Sequence, residues 1–162
     1  HLGVRAPGKP DPLRIVLDST LRLPMTSQVL RDKNALIFTT RRGNPTKRQQ
    51  LIRKGISLIV FPRNFISLPT VMKELARREI ISVLVEGGGT VLGSLVDAGL
   101  VDKVYAFYAP ILIGGKTAVS AVEGEGAPNL RRALQLTKVF NKTFGDNILI
   151  GGYTANNSKE IK

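Results

Sequence analysis

Residues 84–99 read LVEGGGTVLGSLVDAG, and the stretch before them, Ile80–Val85, reads IISVLV. The apolar, β-branched run has the pattern of a buried strand. It ends in a carboxylate, Glu86, followed by three glycines and an amphipathic stretch running to Ala98. Strand, glycine turn and helix in that order predict an α/β fold. The glycines remove Cβ atoms where main chain must approach a neighbour closely. The first N–H groups of the helix lack partners and lie at the positive end of its dipole, so a phosphate fits there. The segment is neither the Rossmann fingerprint, which needs G-x-G-x-x-G, nor a Walker loop, which needs Gly-Lys-Ser/Thr. A tight βα turn without a ligand is the plainer reading of three glycines. Glu86 favours a site, because open α/β sheets bind ligands at the carboxyl ends of their strands. Buried acids are also rare without a partner.

The same rhythm runs through the first half of the chain. Leu13–Asp18, Ala35–Thr40 and Ile56–Phe61 are predicted strands, and Leu21–Leu30 is irregular or briefly helical. Pro45–Lys54 is a predicted helix with Leu51 and Ile52 facing inward and Gly55 as its stop. Ser67 caps a second helix running to Arg78, with Leu68, Val71, Met72, Leu75 and Ala76 at helical spacing. Strands separated by helices predict a parallel sheet. After Leu100 the pattern changes to alternation. Lys103–Ala109, Leu134–Phe144 and Ile148–Tyr153 read as antiparallel strands, the last two joined through Gly145-Asp146-Asn147. The expected architecture is one mixed sheet, parallel at its centre and antiparallel toward the C-terminus, with helices on both faces. Residues 1–154 are expected to form a single domain, and 155–162 a polar tail.

Composition narrows the chemistry. The chain has 162 residues, 43% of them apolar, no cysteine, and one histidine, the terminal His1. Disulfides, thiolate catalysis, a Ser–His–Asp triad and histidine metal sites are therefore outside its means; no metal site is expected. The lack of cysteine suits a cytoplasmic enzyme, and the N-terminal HLGVRAPGKP lacks the apolar centre of a signal peptide. The formal net charge of +12 calls for an anionic partner. Arg41–Lys54 (RRGNPTKRQQLIRK) holds six basic residues and no acid, which keeps a nucleic-acid-binding module as a competing reading. Only 6% of residues are aromatic and none is Trp, so the stacking side of such binding is poorly supplied.

The string VEGGGTVLGSLVDAGLVDKVYAFYAPILIGG resembles the reductase domain of riboflavin biosynthesis, which forms the C-terminal half of the bacterial deaminase–reductase and stands alone in archaea and fungi. The matching elements are Glu86-Gly87-Gly88, Leu100-Val101-Asp102, Ala109-Pro110 and Gly114-Gly115. Leu13–Pro24 (LRIVLDSTLRLP) resembles a core strand of the family, and Gly145–Tyr153 its last hairpin. The resemblance implies a dihydrofolate-reductase-like fold, NADPH as cofactor, and reduction of the ribose of a phosphoribosylamino-pyrimidine to its ribityl form by hydride transfer to C1′. It also implies a homodimer and, in some relatives, a preceding zinc deaminase domain. The family's first strand and helix are not matched here. A pterin reductase of the dihydrofolate reductase type shares the glycine turn and is the alternative within the fold.

By this resemblance Glu86 faces the substrate, and Leu2 and Arg5 match a Leu-x-x-Arg pattern that holds the substrate phosphate. Gly88, Gly89, Thr90, Val91, Leu92, Gly93 and Ser94 wrap the NADPH diphosphate. Asp18 and Ser19 match a cofactor-contacting position, Ser19 being the stronger. Thr39, Thr40 and Arg41 are expected near the adenosine 2′-phosphate, where Arg41 would supply bidentate charge. No catalytic acid or base stands out, because the cofactor carries the chemistry and the protein orients it.

Overall fold

The structure, a computed structural model, describes Gly3 and residues 8–155. The chain divides into two compact units, His1–Glu79 and Ile80–Lys162.

The first unit is a parallel sheet with two helices. Strands β1 (Arg14–Leu17), β2 (Ala35–Thr40) and β3 (Ser57–Phe61) lie in the order β1-β2-β3, so β2 is central. All six of its residues are buried, as expected for an apolar strand with parallel neighbours on both sides. Helix α1 (Pro45–Arg53) starts on Asn44, whose side chain accepts the Lys47 N–H at 3.0 Å, with Pro45 in the first turn. It stops at Gly55, φ +78°. Leu51 is fully buried, but Ile52, expected inward, is 57% exposed. One residue is a 100° turn of the helix, and it carries Ile52 off the narrow inner stripe. Helix α2 (Leu68–Arg77) buries Val71 and Leu75, leaves Leu68 and Met72 half-buried, and exposes Ala76. Between β1 and β2 the only regular structure is a 3₁₀ turn, Gln28–Leu30. It contributes Leu30 to a core with Leu21, Ile37, Leu51 and Ile56.

Arg14, on β1, is 9% exposed and pairs with Asp11 at 3.4 Å and with Asp32. The Asp32 carboxylate also accepts the Asn34 N–H at 3.1 Å. Hydrogen bonding to Arg14, then to the Asn34 main chain, holds the Asp32 carboxyl below its ordinary pKa. A lowered folded pKa contributes stability that is fully present above the unfolded value of about 4. That contribution is lost as pH falls through the lowered value. Thermal melts between pH 2 and 5 should show this loss, and Asp32→Asn should flatten part of the slope. An unchanged slope in Asp32→Asn would contradict the pairing.

The second unit contains helix α3 (Gly89–Asp97) and an antiparallel sheet of β4 (Lys103–Tyr108), β5 (Leu136–Phe144) and β6 (Asn147–Thr154), ordered β4-β6-β5. The strand predicted over Ile80–Val85 is not formed. These residues are irregular, Ile81 is 99% exposed and Leu84 is 75% exposed. A strand exists only through a paired neighbour, and among the described strands none pairs with this run. For the same reason the described strands form two three-stranded sheets, not one mixed ladder.

The hairpin from β5 to β6 closes through Gly145-Asp146, with Gly145 at φ +56°. A bulge interrupts β5 between Thr137 and Phe140, and Lys138 there has φ 48°. Gly151 on β6 makes room for the Phe140 ring, since a Cβ at 151 would lie 2.3 Å from Phe140 Cζ. Phe140 packs edge-on against Tyr105, and Phe107 lies tilted against Phe144, at centroid distances of 6.1 and 6.2 Å. All four rings remain between 39% and 66% exposed. Lys103 Nζ lies 4.8 Å from the Tyr105 and Tyr153 ring centres, which ties β4 to β6.

Candidate functional site

In the second unit the site is built around the start of α3. Gly88 is the N-cap, with φ −70° and ψ 169°, and offers no side chain to cap the helix. Two hydrogen bonds tie a distant segment to this first turn. The Glu123 carboxylate accepts the Thr90 hydroxyl at 2.6 Å, and the Glu123 N–H donates to the Gly89 carbonyl at 3.1 Å. A carboxylate beside a helix N-terminus is well placed for the dipole. The segment around Glu123 continues along α3. Asp97, one helix length further on, accepts the Glu125 N–H at 2.8 Å and the Gly126 N–H at 3.2 Å. A strap of residues 120–126 therefore lies on the Gly89–Gly93–Asp97 face. A Cβ on Gly89 would meet the Ser120 carbonyl oxygen at 2.6 Å, and one on Gly93 the Glu123 carbonyl oxygen at 1.9 Å.

The three glycines thus have different roles. Gly89 and Gly93 admit the strap, whereas a Cβ on Gly88 would meet nothing within 4 Å. Gly88 is the open face of the turn. Thr90 is engaged with Glu123, and Ser94 Oγ donates back to the Thr90 carbonyl at 2.7 Å. Val91 and Leu92 are half-buried. Glu86 does not end a buried strand as predicted. It is exposed, and among the described residues it has no hydrogen bond or ion pair. The strap itself was not foreseen. Its sequence signal is the spacing of Gly89, Gly93 and Asp97, one face of a helix at successive turns, together with Gly124-Glu125-Gly126.

In the first unit the candidate residues meet at the carboxyl ends of β1 and β2. Ser19 follows β1, and its carbonyl accepts the Thr40 N–H at 3.3 Å, the Thr40 hydroxyl at 2.7 Å and the Thr39 hydroxyl at 3.4 Å. Thr39 and Thr40, predicted to face a cofactor, are fully buried. Their hydroxyls are directed at the Ser19 carbonyl, so they fix its main chain. Arg41, just past β2, is exposed. An open cavity of about 460 Å³ lies beside Ser19, lined by residues 16–19 and 22–24. Asp18 lines it too, with one carboxylate oxygen accepting the Leu23 N–H at 2.8 Å. Leu2 and Arg5 lie outside the described residues.

The basic run is not a continuous cationic face. Lys47 Nζ donates to the Leu21 carbonyl at 2.6 Å, and Lys54 Nζ to the Met25 carbonyl at 3.4 Å. Arg48 donates to the carbonyls of Gly43 and Thr40 at 3.2 and 3.4 Å. Three of the six basic residues thus direct donors at neighbouring main chain, which leaves fewer of them free to reach a nucleic-acid backbone.

Each unit has an opening of its own: in the second an uncovered glycine at a helix N-terminus, in the first a cavity beside a fixed serine that Arg22 also lines. The fold is of the α/β class. The profile of the RibD C-terminal domain matches residues 1–150, and the chain belongs to that family. It is 39% identical over 132 residues to a riboflavin biosynthesis protein RibD of Bacillus amyloliquefaciens, covering 79% of this chain and 36% of that protein. It is 33% identical over 117 residues to the 2,5-diamino-6-ribosylamino-4(3H)-pyrimidinone 5′-phosphate reductase of Archaeoglobus fulgidus, covering 72% of this chain and 53% of the relative. Among solved structures it is similar to RibD of Acinetobacter baumannii, with TM-score 0.74 and 22% identity over 88% of this chain and 38% of that one. A deaminase/5-amino-6-(5-phosphoribosylamino)uracil reductase of Thermotoga maritima gives TM-score 0.69 and 21% identity, covering 94% of this chain and 40% of that one. The chain therefore spans about a third to a half of the length of these relatives.

Proposed function

We propose that this chain is the reductase unit of a riboflavin-biosynthesis enzyme, reducing the ribose of a phosphoribosylamino-pyrimidine to its ribityl form with NADPH. The observation that carries the reading is the family match over residues 1–150, joined to the open Gly88 turn at α3. Relatives named as a pyrimidinone phosphate reductase support the substrate class.

When bound, the nicotinamide supplies the hydride that reduction at C1′ requires. The chain's own residues hold and orient. Gly88 lets the diphosphate approach main chain, with the α3 dipole behind it. Val91, Leu92, Gly93 and Ser94 shape the rest of that turn, and Gly89 and Thr90 carry the strap that covers its other side. Ser19, held by Thr39 and Thr40, contacts the cofactor from the end of β1. Arg41 is available to charge beyond β2. Glu86 accepts hydrogen bonds from the pyrimidine or the ribose hydroxyls, and Leu2 and Arg5 meet the substrate phosphate. Titration with the two nicotinamide cofactors, followed by nucleotide fluorescence, tests the reading. Tighter binding of NADPH than NADH supports it, and no binding of either overturns it.

The reading extends to assembly and place. The exposed rings of Tyr105, Phe107, Phe140 and Phe144 supply an apolar sheet face that a homodimer would cover. Light scattering across a tenfold dilution should give a constant dimer mass, and Phe107→Asp should give a monomer. A monomer mass throughout for the unsubstituted protein contradicts the dimer. The family also includes proteins whose names join the reductase to a deaminase, so the full-length protein is proposed to carry a zinc deaminase domain as well. A cytoplasmic location fits a biosynthetic enzyme without cysteines. No helix among the described residues is long and apolar enough to cross a membrane.

A further inference from the structure

Helix α3 begins with a negative charge already beside it. Glu123 reaches it from the strap: its carboxylate accepts the Thr90 hydroxyl at 2.6 Å, and its N–H donates to the Gly89 carbonyl at 3.1 Å. The side chain lies against the first residue of the helix, since a Cβ on Gly89 would be 2.9 Å from Glu123 Cγ and 3.0 Å from its Oε1. The Val91 and Leu92 N–H groups are taken by the Gly88 carbonyl at 3.0 and 3.2 Å, so the outermost donors of the helix are those of Gly89 and Thr90. A carboxylate at this end is stabilised by the positive pole of the dipole.

The neighbouring sequence does not neutralise that carboxylate. Residues 80–102 and 117–130 contain Glu86, Asp97, Asp102, Glu123 and Glu125 but no lysine or arginine. The chain's formal charge of +12 is carried outside these two stretches. A phosphate arriving at Gly88 therefore meets the helix end that Glu123 already uses, and two negative charges at one helix end repel each other. The strap can yield to that repulsion, because its hold on α3 is exposed to water: Glu123 on Thr90 at one end, the Glu125 and Gly126 N–H groups on Asp97 at the other. Val122, within the strap, is 51% exposed and adds little apolar anchoring. Segments held in this way open locally at low cost. We propose that strap closure and anion binding at the Gly88 turn oppose each other, and that Glu123 is the residue that couples them. A bound diphosphate loosens the strap, and the closed strap lowers affinity for the diphosphate by the same factor. The identity of the ligand as NADPH rests on the reductase reading. The coupling rests on the Glu123 contacts and holds for any anion at this helix end.

The full-length protein and its Glu123→Gln variant are titrated with NADPH and, separately, with inorganic pyrophosphate. Hydrogen–deuterium exchange is followed by mass spectrometry in peptides covering residues 116–128. Glutamine keeps an oxygen for the Thr90 hydroxyl and removes only the charge; melting curves check that the fold is retained. Glu123→Gln should bind both probes about two- to fivefold more tightly, the scale of one charge at a helix terminus. High salt should shrink that gap, which a purely structural role for Glu123 would leave unchanged. In the unsubstituted protein, saturating NADPH should speed exchange across residues 120–126 by a similar factor, whereas a ligand that only rigidified the segment would slow it. Unchanged or slower exchange with ligand overturns the proposal, as does a Glu123→Gln protein that binds neither probe more tightly; NADPH binding in either case leaves the reductase reading standing. Coupling seen with pyrophosphate in a protein that does not bind NADPH keeps Glu123 in its role and removes the reductase reading. Failure of both proteins to bind either probe overturns both.

Discussion

Gly88→Val is expected to weaken NADPH binding by more than about 100-fold, the scale on which small displacements at a reacting complex are felt, while leaving the melting curve unchanged. The backbone at Gly88 has φ −70°, which valine adopts without strain, and a Cβ there would touch nothing within 4 Å. The substitution therefore adds bulk only to the open side of the turn, where the diphosphate is proposed to lie. A glycine with positive φ would give an ambiguous result, because misfolding and lost binding look alike. Gly88 avoids that ambiguity. Fluorescence titration beside a thermal melt checks both halves. Normal NADPH binding by a folded Gly88→Val protein would show that the turn is structural only.

Gly93→Ala tests the opposite face, with the opposite pattern expected. A Cβ at position 93 would lie 1.9 Å from the Glu123 carbonyl oxygen and 2.7 Å from the Gly124 nitrogen. Both are main-chain atoms, so the strap itself has to move. Its departure would forfeit the hydrogen bonds of Glu123 to Thr90 and of Asp97 to Glu125 and Gly126. With about 1 kcal/mol for each bond, the loss comes to roughly 2–4 kcal/mol. Chemical denaturation should report that loss, and limited proteolysis should cut between residues 116 and 128 more readily. An unchanged denaturation midpoint with unchanged cleavage would mean that the strap does not depend on the glycine face.

These two glycines show what the sequence could and could not convey. The run of three said that something approaches the main chain closely, and something does at Gly89. The partner is residues 120–126 of the same chain, distant in sequence and without a periodic pattern of their own. The Gly89–Gly93–Asp97 spacing marks the helix face that is approached, but not the segment that approaches it. Ala35–Thr40 was legible because a central parallel strand is buried on both faces, and its first four residues are apolar. Ile80–Val85 is also a largely apolar run but forms no strand, since pairing is a property of the neighbour and not of the run. Pro45–Arg53 is legible from its Asn-Pro start and glycine stop, while Ile52, expected inward, misses the inner stripe by a single helical step. Ser19 is singled out by its place at a strand end, and its carbonyl accepts the hydroxyls of Thr39 and Thr40. Thr39 and Thr40, equally polar and equally placed, turned out to support it from inside. Nothing in STLRLP announces that Leu21 takes a left-handed conformation.

The central claim is hydride transfer from NADPH to the ribose of a phosphoribosylamino-pyrimidine. The most direct measurement uses NADPH deuterated at nicotinamide C4, incubated with the full-length protein and the phosphoribosylamino-pyrimidine. The product is then read by mass spectrometry and proton NMR. The account predicts a ribitylamino-pyrimidine phosphate carrying one deuterium at C1′, formed in step with cofactor oxidation. Cofactor oxidation without label at C1′, or no oxidation in the presence of this substrate, would contradict it.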